Sequence, residues 1–410
     1  MRILHVLHHY LPEYRGGIES HVAGMAAAQR ASGHEVVVFT GSNALRDPAA
    51  ERPPDEVDGV RVVRVPYRTE FERYASGTRE GLDAFEALLD ADPPDLVHLH
   101  HFSALGPGAV RAAERRGVPT VVSMHDLYAI CPLTFRLRHD RHLCAPDVPP
   151  ATCVECLMEV SGSPREEVER AFAAREREFA ADLAAAAWVL AMSRTQLDYL
   201  NRVPLLADTP VTTIGLPAPP EPDAGPLDLY LPDLPLHLAT WGGLVRGKGL
   251  HLLVDAARSL QPGAIEVHHH GPLVDEAYRD EVLAGAGHVD VTFHGPYAPG
   301  DLRERLRGCD LAVHPSLFLE TYGFVTDEAL RLGLPVIVPD RGAPKERIGR
   351  MGLTFRVGEP ADLARQLARF VEAPERLLAL RAAKPGPLLD QQSYLESLDS
   401  IYRAALGRRA

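Results

Sequence analysis

Residues 309–338 read CDLAVHPSLFLETYGFVTDEALRLGLPVIV, which places two short apolar runs around a helical pattern. The runs at 311–314 and 336–338 have the length of buried strands, and the helical pattern between them spans 325–332. A strand, a helix and a second strand in this order predict a parallel sheet with helices on its faces.

The same alternation continues outward from this stretch through both halves of the chain. Further strands are expected at 3–7, 36–39, 60–65, 96–100, 120–124, 188–192, 236–241, 265–268 and 289–293. Between the halves, residues 217–235 hold seven prolines and little apolar periodicity, which is typical of a linker. The pattern predicts two Rossmann-like, doubly wound α/β domains at 1–216 and 236–387, followed by an amphipathic helix at 388–410.

Composition and charge narrow the classes of protein that the chain can belong to. It has 410 residues and a formal net charge of −13. This acidic balance argues against binding to nucleic acid and against electrostatic docking on an anionic membrane. The N-terminus shows no targeting signal, and the longest apolar run, 183–192, is about half the length that a bilayer span needs. We therefore expect a cytoplasmic protein, with membrane association peripheral at most.

Glycine-rich loops follow the first predicted strand of each domain, where open parallel sheets bind their ligands. Gly16 and Gly17 open the first helix, and residues 242–249 read GGLVRGKG. Glycines let a ligand approach the backbone, and a cation before a helix suits a diphosphate. We therefore interpret Lys248 as a phosphate ligand. The alternatives are a plain turn at the first loop and a solvated basic loop at the second.

Titratable side chains at other strand ends complete the candidate site. His125 follows a predicted strand, and a histidine there suits a hydroxyl ligand or a proton transfer. The histidines at 98–101 are more simply structural, because three near neighbours cannot all face one ligand. Glu320 and Glu328, separated by seven residues, can serve opposite ends of one ligand, although paired glutamates are more often surface charges.

Taken in order, these stretches resemble glycosyltransferase family 4, the retaining enzymes of GT-B fold. The matching stretches are GGIE at 16–19, DLVHLHHF at 95–102, SMHDLYAICP at 123–132, GGLVRGKG at 242–249, FHGPY at 293–297, the stretch at 309–338 and RGAPKE at 341–346. The two glutamates of the 309–338 stretch, spaced E-x7-E, are the most specific element. The resemblance implies an acceptor-side N-terminal domain facing a nucleotide-sugar-binding C-terminal domain across a cleft, with the last helix returning to the N-terminal domain.

The resemblance also implies a reaction and a role for each candidate residue. A hexosyl unit would pass from a nucleoside-diphosphate sugar to an acceptor hydroxyl on a glycan, a glycolipid precursor or a small natural product. The anomeric configuration would be retained, and catalysis would need no metal or other cofactor. His125, Lys248 and Glu320 would be the catalytic residues. The donor-binding residues would be Gly16, Gly17, Gly243, Arg246, Lys248, Tyr322, Gly323, Phe324, Val325 and Glu328.

One departure from the family pattern keeps two other functions open. Gly243 stands where the family usually has an arginine beside the loop glycine, and Arg246 is expected to supply the missing charge. A catalytically silent subunit that binds nucleotide or sugar would tolerate this loss. A sugar-nucleotide epimerase on the same fold would share donor binding but need acid and base groups of its own. The presence of Lys248, Glu320 and Glu328 together favours the transferase.

A cysteine cluster marks an insertion at 131–160 in the N-terminal domain. Its members, which fall within 26 residues, are Cys131, Cys144, Cys153 and Cys156. They can form a structural zinc site, with His139 and His142 as alternative ligands. A set of small buried thiols that pack the inserted loop explains the same pattern. In either case we expect the insertion to shape the acceptor side, because it follows His125.

Overall fold

The computed structural model describes the chain except residues 48, 68–79, 141, 146, 202–205, 207–208, 218–226, 228–233, 299, 384, 387 and 408–410. The chain divides into two compact units. The first comprises Met1–Pro217 and Asp390–Ala410, and the second comprises Ala218–Leu389. Most of the predicted linker at 217–235 lies outside the described residues.

The first unit is built around a mainly parallel sheet. Its strands are β1 (Arg2–Leu7), β2 (Glu35–Ser42), β3 (Glu56–Val57), β4 (Val60–Pro66), β5 (Leu96–Leu99), β6 (Thr120–Met124), β7 (Trp188–Ala191) and β8 (Val211–Thr213). They lie in the order β3-β4-β2-β1-β5-β6-β7-β8, and β3 pairs with β4 in the antiparallel direction. Residues 3–7 of β1 are all buried, as expected for a parallel strand that is covered on both faces.

Helices connect these strands, and the strand order has a switch point between β1 and β5. They are α1 (Gly17–Ala31), α2 (Glu80–Ala91), α3 (Ala109–Arg115), α4 (Pro150–Ser161), α5 (Arg165–Ala185) and α6 (Arg194–Leu200). From β1 the strand order proceeds to β2 and β4 on one side, and from β5 it proceeds to β8 on the other. The loops after β1 and β5 therefore diverge, which opens a crevice at the carboxyl ends of the strands.

The second unit repeats this architecture. Its strands are β9 (Leu236–Trp241), β10 (Ile265–His270), β11 (Asp290–Phe293), β12 (Leu311–Val313), β13 (Val336–Pro339) and β14 (Gly352–Phe355). The order β11-β10-β9-β12-β13-β14 puts the switch point between β9 and β12. Side chains of β9 alternate between two apolar clusters, with Leu236 and Leu238 on one face and Ala239 and Trp241 on the other.

The helices of the second unit cover both faces of its sheet. They are α7 (Leu250–Arg258), α8 (Glu276–Gly285), α9 (Leu302–Arg305), α10 (Phe324–Arg331), α11 (Pro360–Val371) and α12 (Arg376–Arg381), with short 3-10 turns at Arg246–Lys248 and Ala343–Glu346. The succession β12, α10 and β13 is the strand, helix and strand that residues 309–338 predict. Throughout the described ranges, no helix is both long and apolar enough to cross a membrane.

The last helix, α13 (Gln391–Gly407), belongs to the first unit. Its Tyr394 and Tyr402 are fully buried. Tyr402 OH lies 2.5 Å from His98 Nδ1, and Tyr394 OH lies 3.2 Å from His21 Nε2. The chain therefore returns to its N-terminal domain, as the resemblance implies.

Candidate functional site

A lysine and a glutamate meet beyond the carboxyl ends of the neighbouring strands β9 and β12. Lys248 Nζ donates to Glu320 Oε1 at 2.7 Å, and Ser316 Oγ donates to the same oxygen at 2.8 Å. Burial of Glu320 opposes its ionisation, but the charge of Lys248 and the two hydrogen bonds outweigh burial and hold the pKa of Glu320 below its usual range. The site therefore contains an ionised carboxylate that is already paired with an ammonium group.

Two glycines allow the loop after β9 to pack against the loop after β12. A Cβ atom on Gly247 would lie 2.0 Å from Phe318 Cζ, and one on Gly249 would lie 2.0 Å from the carbonyl oxygen of Pro315. Gly249 also has a φ of +75°, which other residues rarely adopt. Because the two loops touch, the lysine of one reaches the glutamate of the other.

The predicted donor-binding residues at 322–325 lie at the N-terminal end of α10, where Arg347 holds them. Its guanidinium donates to the carbonyl oxygens of Tyr322 and Gly323, at 2.5 and 3.2 Å. It also pairs with the buried Asp327 at 2.5 Å and lies 3.8 Å from the centre of the Tyr322 ring. A fixed helix N-terminus favours a bound anion. The local sequence carries no signal for this role of Arg347, because its partners lie 20 to 25 residues away.

Glu328 lies on α10 and reaches the end of β9. Its Oε2 accepts a hydrogen bond from Trp241 Nε1 at 2.7 Å. The ring of His314, which follows β12, stands edge-on to the same tryptophan, with ring centroids 4.7 Å apart. Burial and the charge of Lys248 lower the pKa of His314 to about 3, so this ring is neutral at pH 7. The sequence pattern places His314 at the end of a predicted strand and gives no sign of these contacts.

Arg246 lies in the same loop as Lys248 but points its charge at α8. Its guanidinium pairs with Glu281 and lies 5.0 Å from the centre of the Tyr278 ring. Arg246 is expected to add positive charge to the donor loop, but it shares that charge with Glu281. At Gly243, a Cβ atom would meet Val274 Cγ2 at 3.4 Å, which is an ordinary contact, so this position has room for a side chain.

A file of hydrogen-bonded side chains runs from Gln29 to His125 in the first unit. Gln29 Oε1 lies 2.8 Å from His5 Nε2, and His5 Nδ1 lies 3.0 Å from His100 Nε2. His100 Nδ1 lies in turn 2.9 Å from His125 Nε2. Burial lowers the pKa of His5 and His125 to about 4, and that of His100 well below its usual range. All three rings are therefore neutral at pH 7.

The amide of Gln29 sets the positions of the protons along this file. An amide oxygen only accepts, so His5 carries its proton on Nε2 and accepts at Nδ1 from His100. His100 then accepts at Nδ1 from the Nε2–H of His125, which leaves Nδ1 as the basic nitrogen of His125. The Gln29 amide nitrogen donates to Tyr402 OH at 3.4 Å, which orients the amide.

A buried glutamate, Glu19, lies at the start of α1 in the same unit. Glu19 Oε2 accepts from the backbone N–H of Gly16 at 3.0 Å, and Glu19 Oε1 lies 3.2 Å from His8 Nε2. Burial raises the pKa of Glu19 to about 7. The predicted GGIE loop thus contains a carboxyl group that titrates near neutral pH. Its titration follows from burial, which the sequence does not display.

Comparison with known proteins identifies the family. Residues 16–217 match the family described as glycosyl transferase 4-like domain, and residues 235–373 match glycosyl transferases group 1. The chain is 30% identical to D-inositol 3-phosphate glycosyltransferase of Stackebrandtia nassauensis, over 96% of this chain and 88% of that protein. The chain belongs to glycosyltransferase family 4.

Two further proteins resemble this glycosyltransferase over its whole length. GDP-mannose-dependent alpha-mannosyltransferase of Mycobacterium tuberculosis is 28% identical, over 100% of this chain and 98% of that protein. The structure of sucrose-phosphate synthase from Thermosynechococcus elongatus superposes with a TM-score of 0.70 at 18% identity, covering 99% of both chains. The predicted GT-B fold class and the predicted glycosyl transfer are thereby confirmed.

The site residues predicted for this glycosyltransferase fall into two groups, one in each unit. Gly16, Gly17 and His125 lie in the first unit, and the remaining donor-binding and catalytic candidates lie in the second. Within the second group, Lys248 contacts Glu320 directly. Their roles toward substrate stay predictions.

The clustered cysteines of this glycosyltransferase lie in the first unit as free thiols. Within the described residues, no three of them bring their sulfur atoms within 4.8 Å of one another. Burial raises the pKa of Cys153 to about 11 and raises the pKa values of Cys144 and Cys156 as well, which keeps these three thiols protonated. Cys153 packs against the small apolar cluster of α4 and α5. These contacts favour packing thiols, and structural zinc stays a prediction.

Proposed function

We propose that this glycosyltransferase moves a hexosyl unit from a nucleoside-diphosphate sugar to an acceptor hydroxyl, with retention of the anomeric configuration. The contact of Lys248 with Glu320 at the switch point of the second unit carries the proposal. The diphosphate gains negative charge as its bond to the sugar breaks, and a fixed ammonium group stabilises that charge. The dependence of the mycobacterial relative on GDP-mannose supports a nucleotide-sugar donor.

Glu320 positions Lys248 before the donor arrives. The ammonium group has three N–H donors, and Glu320 Oε1 accepts one of them. The other two are available to diphosphate oxygens, and the N-terminal end of α10 adds its partial positive charge. Glu320 Oε2 then accepts a hydrogen bond from a hydroxyl of the sugar. One carboxylate thus orients both the sugar and the cation that stabilises the leaving group.

Glu328 binds the ribose hydroxyls in this proposal. A carboxylate accepts from two neighbouring hydroxyls, as an acidic residue does in dinucleotide-binding folds. The hydrogen bond from Trp241 fixes the orientation of the Glu328 carboxylate at the end of β9. Trp241 is therefore a positioning residue for donor binding.

His125 contacts the transferred sugar through its basic nitrogen. Its neutral ring carries the proton on Nε2, so Nδ1 accepts a hydrogen bond from a sugar hydroxyl. The backbone at Gly16 and Gly17 approaches the phosphate or the acceptor. The charge that catalysis needs comes from Lys248 and the helix terminus, so no metal enters the proposal. The proposal retains the cytoplasmic location that the sequence predicts, and an acceptor hydroxyl on a glycan, a glycolipid precursor or a small natural product.

Thermal unfolding of the purified chain with UDP, GDP, ADP, dTDP and CMP in turn tests donor binding. A ligand at about 100 times its Kd stabilises a protein by about 2.7 kcal/mol, so the matching nucleotide is expected to raise the Tm. Glu328→Ala is expected to abolish this rise. Glu372→Ala, at an exposed position after α11, is expected to retain it. If no nucleotide raises the Tm of the wild-type chain, the donor assignment is wrong.

Product analysis tests the stereochemistry. The donor that carries the matching nucleotide is incubated with the chain and an acceptor, and the new glycosidic bond is examined by NMR. We expect the anomeric configuration of the donor to be retained. An inverted bond would overturn the retaining part of the proposal and leave the donor assignment standing.

A further inference from the structure

Two histidines and a glutamate form a partly exposed cluster on the sheet of the second unit. His237 is the second residue of β9, and Glu266 and His268 lie on the adjacent β10. Because strand residues alternate, these side chains lie on the sheet face opposite Leu236 and Leu238. The exposed fractions of the His237, Glu266 and His268 side chains are 38%, 34% and 18%, so an ion can reach the cluster from solvent.

Three atoms of this cluster are spaced as ligand atoms are around a metal ion. His237 Nδ1 lies 3.1 Å from His268 Nε2 and 3.5 Å from Glu266 Oε2. His268 Nε2 and Glu266 Oε2 lie 3.9 Å apart. A triangle with these sides has its centre about 2.1 Å from every corner, which matches the Zn–N and Zn–O distances of protein sites. One point therefore lies at bonding distance from all three atoms without movement of a side chain.

His294 supplies the outer contact that a ligating histidine uses. Its Nε2 lies 3.1 Å from His268 Nδ1, the ring nitrogen that faces away from the other two ligand atoms. A histidine that ligates through Nε2 commonly donates its Nδ1–H to such an acceptor, which fixes its tautomer and its ring orientation. His294 follows β11, on the other side of β10. Three neighbouring strands thus hold the cluster.

We propose that His237, Glu266 and His268 bind a divalent transition-metal ion of the zinc type, with His294 orienting His268. Imidazole ligands select such an ion over magnesium or calcium, which prefer oxygen ligands. Three protein ligands leave a fourth position for water. The bound ion joins β9 to β10 near the start of β9, whereas the donor loop leaves the opposite end of that strand.

Isothermal titration calorimetry of the full chain without a histidine tag tests the proposal. We expect a Zn²⁺ site in the wild-type chain whose affinity falls at least tenfold in His268→Ala and in Glu266→Gln. His288→Ala, at an exposed position outside the cluster, is expected to bind as the wild type does. Mg²⁺ is expected to give no binding. Equal Zn²⁺ affinity in the wild type and both cluster variants, or no Zn²⁺ binding at all, would overturn the proposal.

Titration with Co²⁺ separates this site from the cysteines. Cobalt held by imidazole and carboxylate lacks the intense near-ultraviolet absorption of cobalt–thiolate bonds. We expect Co²⁺ binding without that absorption, and its loss in His268→Ala. If the Co²⁺ that binds shows thiolate absorption and is unaffected by His268→Ala, the ion belongs to the cysteines and the proposal is wrong. The nucleotide-dependent rise in Tm is expected to be the same in His268→Ala, so this test is independent of the proposed function.

Discussion

His125 Nε2 lies 2.9 Å from His100 Nδ1. This contact joins His125, which is predicted to bind the transferred sugar, to the buried file of side chains that includes Gln29. Because Gln29 Oε1 only accepts, the file leaves the basic nitrogen of His125 at Nδ1. The direction of one amide on α1 therefore decides whether His125 accepts from or donates to a hydroxyl. Gln29 is a positioning residue that acts on His125 through the rings of His5 and His100.

Gln29→Met is expected to disturb both stability and the tautomer of His125. Methionine has a similar volume but no amide, so His5 Nε2 and Tyr402 OH lose a buried partner. We expect the free energy of unfolding to fall by about 1–3 kcal/mol. We also expect the tautomer of His125 with a proton on Nδ1 to appear, and kcat to fall with little change in the donor KM. Urea unfolding, ¹⁵N NMR of the histidine rings and steady-state kinetics measure these effects.

Gln392→Met is the matched control, because Gln392 is exposed near the start of α13. A surface change of this kind is expected to alter the free energy of unfolding by less than about 0.5 kcal/mol. It should leave the His125 spectrum unchanged. A Gln29→Met variant whose His125 keeps its proton on Nε2 would refute the positioning role, even if the variant is less stable.

Glu19 is expected to make the first unit less stable as the pH rises toward neutrality. Burial raises the pKa of Glu19 to about 7 in the folded chain, against 4.5 for an exposed glutamate, despite the nearby His101 and the hydrogen bond from Gly16 N–H. The folded chain thus binds this proton more tightly than the unfolded chain does. The resulting stabilisation is fully present below about pH 4.5 and is lost as the pH rises through about 7.

Glu19→Gln tests this pH dependence, because glutamine resembles the protonated carboxyl group at every pH. We expect the free energy of unfolding of Glu19→Gln, relative to the wild type, to increase between about pH 5 and about pH 8. Urea unfolding of both proteins at the two pH values measures it. Glu372→Gln, at an exposed position, is the control and should show no such change. A Glu19→Gln difference that is the same at both pH values would show that Glu19 does not titrate in this range.

The strands, and the positions of Lys248 and Glu320 at one edge of the second sheet, follow from the sequence for physical reasons. Parallel strands buried on both faces are continuous apolar runs, and their carboxyl ends share one edge of the sheet. Residues that follow β9 and β12 are therefore expected at the same edge of the sheet, although the contact of Lys248 with Glu320, 72 positions apart, also requires these two strands to be neighbours. Lys248 and Glu320 satisfy this rule, since one follows β9 and the other follows β12.

The other contacts of the candidate site depend on details that no local pattern carries. The pairing of His5 with His100 spans 95 residues and requires β1 to lie beside β5, which strand patterns alone do not specify. Tyr402 reaches His98 across 304 residues because α13 packs on the first unit. Arg246 is predicted to serve the donor loop, but its pairing with Glu281 depends on where α8 begins and how it packs.

Gly243→Arg is expected to strengthen donor binding. The family commonly has an arginine at this position, and a Cβ atom there makes an ordinary contact with Val274. The backbone of Gly243 does not have a positive φ, so the substitution requires no strained conformation. We expect the Tm without ligand to change little and the Kd for the matching nucleoside diphosphate to fall, because Arg246 shares its charge with Glu281.

Calorimetric titration of Gly243→Arg with that nucleotide measures the Kd. Gly242→Arg is the control, because Gly242 has a φ of +110°, which a side chain disfavours. We expect Gly242→Arg to lower the Tm without improving affinity. A Gly243→Arg protein that folds normally but binds nucleotide no more tightly would show that this loop position does not face the diphosphate.

Lys248→Met is expected to abolish most of the transfer activity. Loss of the ammonium group removes the charge that stabilises the leaving diphosphate, and removal of one such group commonly lowers kcat about 10²–10³-fold. Lys248→Arg keeps a charge near Glu320 and should retain more activity than Lys248→Met. Steady-state kinetics with the matching nucleotide sugar measure kcat for both variants. An equal loss of kcat in Lys248→Arg and Lys248→Met would mean that the positive charge of Lys248 does not account for its role.

The stability of the same variants tests whether Lys248 and Glu320 act as a pair. Lys248→Met leaves a mostly buried carboxylate without its ammonium partner, so the pKa of Glu320 should rise and the chain should be destabilised. Adding Glu320→Gln removes the stranded charge, so the double variant should regain part of the lost free energy of unfolding while remaining inactive. Urea unfolding of the wild type, both single variants and the double variant gives the coupling free energy. Additive losses would mean that the contact does not couple the two residues, and would overturn the role of Glu320 in positioning Lys248.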